Sequence, residues 1–212
     1  MRRLATLILM LSGASLPAQT KDGFVPLFNG KDLDGWEVRE RRAGDKEKWE
    51  ARDGVLYGKA GSGWIGTKKM YGDFILKVEW RIFADGNSGV FLRVPDVVSK
   101  QSPSYLGFEV QILDDNSAKY KGKLKPFQYC GGIYHFQGPT KNMFKGAEQW
   151  NAYEIRCKGD LISVIFNGEK VIDADTSKNP DMAKRPKRGF IGLQNHNSGV
   201  EFRNIVIKTL EK

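Results

Sequence analysis

Cysteine and histidine are scarce in this chain, with two of each among 212 residues. Two cysteines cannot staple a disulfide-rich mini-protein. There is no zinc-type Cys/His spacing, no phosphate loop of the Walker type and no dinucleotide fingerprint. Gly-Xaa-Ser-Xaa-Gly is missing too; Ser62 sits in Gly61-Ser62-Gly63, without the strand–elbow–helix setting of a hydrolase nucleophile. A catalytic triad would have to use His135 or His196, and no nucleophile stands out for either. No stretch of twelve or more residues keeps a 3.6-residue apolar period, so helix evidence is thin. Beyond the amino terminus no segment is apolar for the ~20 residues that a bilayer span needs.

The first twenty residues read as an address. Arg2 and Arg3 form a positive region, Leu4 to Leu11 an apolar one interrupted by Thr6, and Ser12 to Ala18 a run of mostly small residues. That is the three-part pattern of a secretory signal peptide, residues 1–18, with cleavage expected near Ala18 and Ala14 as second choice. A retained anchor is the competing reading; no cysteine follows the apolar run to carry a lipid. Cleavage would remove Arg2 and Arg3 and so lower the formal charge from +9 to +7. Export to the periplasm or beyond would also expose Cys130 and Cys157 to an oxidising compartment, where they pair or remain two buried thiols.

What the chain has in excess is glycine, 24 residues or about 11%, against a usual ~7%. The cause is turns. Phe74, Leu76, Val78, Trp80 and Ile82 alternate with Ile75, Lys77, Glu79, Arg81 and Phe83, the period of a half-buried strand. Similar stretches recur at Val55–Tyr57, Ser88–Val94, Gly107–Leu113, Asn151–Lys158, Leu161–Asn167, Lys170–Asp173, Gly189–Gln194 and Val200–Thr209. Turn signals separate them, and Lys158-Gly159-Asp160-Leu161 and Phe166-Asn167-Gly168-Glu169 predict successive hairpins. Asn179 to Lys184 predicts one helical turn ended by Pro186; Ser99–Ser104 and Ala118–Phe127 read as long loops. The expectation is an all-β chain, one antiparallel β-sandwich domain over residues 21–212.

The basic excess gathers in loops, at Lys119, Lys121, Lys123 and Lys125 and at Lys184, Arg185, Lys187 and Arg188. Neither cluster carries the aromatics of an RNA-binding module, so no nucleic-acid partner is expected. More informative are the polar residues that share a strand face. Along Gly107–Leu113, Phe108, Val110 and Ile112 take the core face and Glu109 and Gln111 the other. Along Ser88–Val94 the aliphatic set is Val90, Leu92 and Val94, leaving Phe91 and Arg93 outside. Ile191 and Leu193 put Gln194 outside, and His196 continues that parity. If these strands are neighbours, Arg93, Glu109, Gln111, Gln194 and His196 form a patch suited to sugar hydroxyls. Trp64 and Trp150 are candidates for stacking on a sugar; the competing readings are a solvated sheet face and tryptophans in the core.

Glu109 and Asp114 invite comparison with paired-carboxylate glycosidases, but residues five apart on a regular strand point to opposite faces. Asp114-Asp115-Asn116 is oxygen-rich enough to suggest calcium or another divalent metal, against a plain turn.

The chain resembles the bacterial 3-keto-disaccharide hydrolase domain family, formerly a domain of unknown function. The resemblance rests on ordered blocks: Leu27-Phe28-Asn29-Gly30-Lys31-Asp32-Leu33-Asp34-Gly35-Trp36, Tyr71-Gly72-Asp73-Phe74, Asn87-Ser88-Gly89-Val90-Phe91-Leu92-Arg93 and Gly107-Phe108-Glu109-Val110-Gln111-Ile112-Leu113-Asp114. Trp150-Asn151-Ala152-Tyr153-Glu154-Ile155, Asn167-Gly168, Gly192-Leu193-Gln194-Asn195-His196 and Phe202-Arg203-Asn204-Ile205 complete it. The resemblance implies a concanavalin A-like jelly-roll sandwich of two antiparallel sheets, and glycosides oxidised to a ketone at C3 as substrates. Such a ketone acidifies C2–H, so one base, one acid and donors for the enolate suffice.

On this reading Glu109 is the leading base, His196 the leading acid or alternative base, and Arg93 the enolate stabiliser, a role that a metal could also fill. Gln111, Gln194, Trp64, Trp150 and Asp114 would hold the oligosaccharide or glycoside. Three alternatives share the sequence features: a non-catalytic carbohydrate-binding module, a conventional endo-glucanase and an interaction domain of a larger exported assembly.

Overall fold

A computed structural model describes residues 20, 22–39, 48–61, 63–97, 101–196 and 198–210. The expected signal segment and Ser62 lie outside these. In chain order the strands are β1 (Val25–Pro26), β2 (Trp36–Arg39), β3 (Trp49–Arg52), β4 (Val55–Gly58), β5 (Trp64–Tyr71), β6 (Phe74–Ile82) and β7 (Asn87–Val94). Then follow the short helix α1 (Pro103–Leu106), β8 (Phe108–Leu113), β9 (Asn151–Lys158), β10 (Leu161–Phe166), β11 (Glu169–Asp175), helix α2 (Pro180–Ala183), β12 (Gly189–Gln194) and β13 (Val200–Thr209).

The strands form two antiparallel sheets. The larger has the order β11-β10-β9-β6-β13-β4-β3, with β1 added to β13; the smaller has the order β2-β5-β12-β7-β8. Period-two alternation builds the core between them. Leu76, Val78, Trp80, Tyr153, Ile155, Val164 and Phe166 of the large sheet meet Ile65, Val90, Leu92, Phe108, Val110, Ile112, Ile191 and Leu193 of the small one. Both hairpins read from the sequence are present: Lys158 pairs with Leu161 and Phe166 with Glu169. Asn167 and Gly168 both take positive φ, 49° and 91°, as a two-residue turn matching the strand twist requires. The helical turn at α2 is capped by Asn179, whose side chain accepts from the Asp181 and Met182 amides. No helix of the described residues is long and apolar enough to cross a membrane.

Five elements depart from the sequence reading: strands β1, β2, β3 and β5 lie outside the stretches that alternate, and so does helix α1. β5 went unseen because Gly66 and the Lys68-Lys69 pair break its alternation. The long loop expected before Gly107 closes with α1.

The cysteines stay apart as free, buried thiols. The Cys130 thiol donates to the Leu113 carbonyl at 2.9 Å and accepts from its amide at 3.0 Å, beside Tyr153. Cys157 lies four residues further along β9, about 13 Å away at ~3.3 Å per residue. Burial pushes its thiol up to about 12. Thiol titration of the denatured, unreduced protein is therefore expected to count two reactive groups; a count of zero would restore the disulfide.

Candidate active site

The outer face of the small sheet carries the site. Strand registers line up Glu37, Gly66, Gly192, Phe91 and Glu109 across its five strands. The next row holds Arg39, Trp64 and Gln194, then Gly89 and Gln111. This confirms the outward parity of Glu109, Gln111, Gln194 and Phe91. Glycine shapes the floor. The Trp64 indole lies over Gly66 and Gly192, where a Cβ would meet its ring at 2.7 and 2.4 Å. It also meets Phe91 edge-to-face, with ring centroids 5.7 Å apart. With Val94, Phe190 and Met70 these rings form a second, smaller apolar cluster, which the Arg39 guanidinium covers at 3.8 Å from the Phe190 ring.

Glu109 borders that cluster. Its carboxyl lies over Gly89, where a Cβ would stand 2.2 Å from Oε1. Only 2% of the residue is exposed. Burial pushes the carboxyl up to about 8, against the pull of a hydrogen bond with Ser104 of α1. Gln111 donates from Nε2 to Asn87 at 3.3 Å, and the buried Oε1 of Gln194 has no hydrogen-bond partner among the described residues. An ionisable acid, two amides and an aromatic floor therefore share one face, an arrangement that can hold a sugar and transfer protons to it.

Three expected site residues, Arg93, Trp150 and Asp114, fall elsewhere, and His196 follows Gln194 past the strand end. Arg93 has no exposed surface. It takes a φ of 53° at a β-bulge, because Phe91 and Val94 of β7 oppose Gly192 and Phe190 of β12 and two residues thus face one. The extra residue inverts the parity, sending Arg93 inward and Val94 outward. Arg93 donates to the Gly72 and Gly159 carbonyls and to Asp73. Trp150 belongs to the outer face of the large sheet, with the guanidinium carbons of Arg203 and Arg81 at 3.9 and 4.9 Å from its ring. Asp114 accepts from the Asp85 amide at 3.1 Å and pins the β6–β7 turn. His196 is exposed beyond the end of β12, its carbonyl accepting from the Gly61 amide at 2.9 Å.

The acidic turn does not gather a ligand set. Both Asp115 oxygens accept from the Cys130 amide, at 3.2 and 3.1 Å. The described residues contain no group of three His, Cys, Asp or Glu placed to hold a metal ion.

A group missed in the sequence stands beside Glu109. Residues 131–134 run antiparallel along β8, with Ile133 opposite Val110 and the Tyr134 amide donating to the Glu109 carbonyl at 2.9 Å. That register places Tyr134 next to Glu109. His135 follows, at a φ of 72°. Its ring lies 4.2 Å from Tyr134, 4.3 Å from Tyr105 and 5.9 Å from Phe127 between centroids. The one local signal was Ile133, an apolar residue following Gly131-Gly132, too short for a strand reading.

Comparisons with known proteins agree with this architecture. A family model described as the 3-keto-alpha-glucoside-1,2-lyase-like domain matches residues 23–208. A Bacteroides thetaiotaomicron protein named 3-keto-disaccharide hydrolase is 26% identical, over 90% of this chain and 79% of its own. A crystal structure from Parabacteroides distasonis, of a protein named provisionally as a glycosyl hydrolase, superposes with a TM-score of 0.79 at 29% identity, covering 92% of this chain and 99% of that one. The Bacillus licheniformis β-glucanase shares the jelly-roll fold alone, with a TM-score of 0.55 at 13% identity over 87% of this chain and 96% of that one.

Proposed function

Because the chain belongs to the 3-keto-alpha-glucoside-1,2-lyase-like domain family, we propose that it cleaves the glycosidic bond of sugars already oxidised to a ketone at C3. The observation that carries this reading is the buried Glu109 carboxyl beside an aromatic floor and two amides. Support comes from the name of the Bacteroides relative, 3-keto-disaccharide hydrolase, and from chemistry that does without two carboxylates flanking C1. Proton loss at C2 gives an enolate, the enolate expels the glycosidic oxygen from C1, and water then adds across C1 and C2.

The raised pKa turns the expected role of Glu109 around. A carboxyl titrating at about 8 holds its proton at neutral pH, so Glu109 serves as the acid that protonates the leaving oxygen. Gln111 and Gln194 orient sugar oxygens, and Trp64 with Phe91 supports the apolar face of the ring. Arg93, turned inward, takes no part. The signal-like pattern at residues 1–18 places this activity outside the cytoplasm in the same proposal.

The test is incubation with 3-keto-trehalose and with trehalose. Cleavage of the first alone is expected; binding of both without cleavage would instead make the protein a carbohydrate-binding module. Turnover should fall as pH rises through about 8, as Glu109 loses its proton, and a rise over that range would return Glu109 to the role of base. Gly89→Ala places a methyl group against the carboxyl. It is expected to cut turnover by about 100-fold, the cost of misplacing a reacting group by about 1 Å. Unchanged turnover in this variant would show that the carboxyl need not lie over Gly89.

A further inference from the structure

We propose that His135 is the second proton-transfer group of this site and removes the C2 proton of the oxidised sugar. The inference rests on the cleavage reading above and assigns the base that it requires.

Two short paths join His135 to Glu109. One runs through the backbone: Tyr134 donates to the Glu109 carbonyl at 2.9 Å, and His135 is the next residue. The other runs through side chains: Ser104 bonds the Glu109 carboxyl, and the ring of its neighbour Tyr105 lies 4.3 Å from the imidazole. Both paths set the His135 segment against the stretch of β8 and α1 that holds the acid. Tyr105, Tyr134 and Phe127 wedge its ring. Its Nε2 is buried with no hydrogen-bond partner among the described residues. A buried ring nitrogen usually has one, so this nitrogen is left for a group that the bound sugar brings. The backbone contributes too. His135 holds a left-handed φ of 72°, a strained conformation for a non-glycine residue and one that clusters at functional sites.

The charges around the ring favour its neutral form. Burial and the Arg185 guanidinium both hold the imidazole below its ordinary pKa. Arg185 is itself fixed by donating to the Ser104 and Gly107 carbonyls at 3.2 and 2.9 Å. Tyr105 and Tyr134 are the titratable groups packed against the ring, and the neighbouring Glu109 carboxyl is protonated at neutral pH. A neutral imidazole and a neutral carboxylic acid are the complementary pair that elimination requires.

The steps balance. His135 takes the proton from C2, and the C–H electron pair passes to the C3 oxygen as an enolate. The enolate collapses, C1=C2 forms, the C1–O bond breaks and the departing oxygen takes the Glu109 proton. Water then delivers its hydroxyl to C1 and a proton to the Glu109 carboxylate, while the imidazolium returns a proton to C2. Both side chains are restored, and the ketone is already present in the substrate.

The probe is 1,5-anhydro-3-keto-glucitol, which has the ketone and C2–H but no leaving group. In D2O the wild-type protein is expected to exchange the C2 proton, read by NMR, at a rate that rises with the titration of the imidazole below pH 7 and then levels. His135→Asn keeps a residue tolerant of the left-handed region. It should slow both this exchange and cleavage of 3-keto-trehalose by about 100-fold or more. Lys170→Ala, on exposed β11 at the edge of the large sheet, should change neither. Wild-type exchange in His135→Asn overturns the proposal. So does a wild-type exchange profile with no inflection below pH 7, a readout independent of whether the variant folds. Exchange without cleavage in the wild type would sink the cleavage reading and leave His135 as the base. Cleavage without exchange would do the reverse.

Discussion

Glu109→Gln is expected to lose at least 100-fold in turnover of 3-keto-trehalose while melting at a higher temperature than the wild type at pH 8. Both effects come from one buried carboxyl. Removing a general acid costs about 100- to 10,000-fold. The loss should shrink on the nitrophenyl 3-keto-glucoside, because a phenolate departs without a proton. The stability effect follows from linkage. The folded-state pKa is raised from 4.5 to about 8, so between those values the unfolded chain releases a proton that the folded chain keeps. Stability therefore falls as pH rises through that window, by an amount of order 5 kcal/mol, and is level above it. Asp115, raised to about 7, adds a decline of the same sign that ends earlier. Glutamine removes the first contribution and leaves the second, so the two proteins should diverge most near pH 8. Full turnover by the variant would remove Glu109 from the chemistry; equal melting at pH 8 would show that its carboxyl is not desolvated.

Much of this site was legible because a strand repeats every two residues. Phe108, Val110 and Ile112 all reach the core, so Glu109 and Gln111 had to face away, and the same count placed Phe91 and Gln194. The count failed at Arg93, since a bulge is a property of two strands and no single strand announces it. The residues that accommodate it are distant in sequence: Gly107 and Gly189, where a Cβ would stand 2.4 Å from the Leu92 carbonyl oxygen and the Arg93 carbonyl carbon. Trp150 failed for a related reason. Its stacking capacity is a local property, but which sheet receives it depends on Arg81 and Arg203, and those residues lie outside the small sheet. His135 was hidden because segment 131–134 adds to β8 through backbone bonds and a single core side chain, Ile133, with too few alternating residues to mark a strand. Its aromatic setting draws Tyr105 from α1 and Phe127 from the next loop. Regular alternation thus revealed the acid, while the inferred base lies where alternation stops.

Arg93→Ala is expected to destabilise the fold by about 3 kcal/mol, through loss of a fully buried side chain and of the donor to the buried Gly72 carbonyl, Asp73 itself being partly exposed. For a domain of this size that lowers the melting temperature by about 10 °C. The guanidinium is fully buried. Its Nε donates to Gly72 at 3.0 Å, one terminal nitrogen to Gly159 at 2.8 Å and the other to Asp73 at 3.1 Å. Asp73 also accepts from the Gly159 amide at 2.8 Å. The side chain thus ties the end of β7 in the small sheet to the β5–β6 and β9–β10 turns at one end of the large sheet. Truncation leaves the Gly72 and Gly159 carbonyls without their guanidinium donors and removes the positive partner of Asp73. Lysine should rescue little, since a single ammonium cannot reproduce a planar fork reaching three acceptors. Turnover measured well below the melting transition should stay within a few-fold of wild type, because the network lies on the inner side of the sheet. A variant that melts normally and loses turnover would instead make Arg93 the enolate stabiliser that regular strand parity suggested. The two outcomes are opposite in both observables, so one melting curve and one rate separate them.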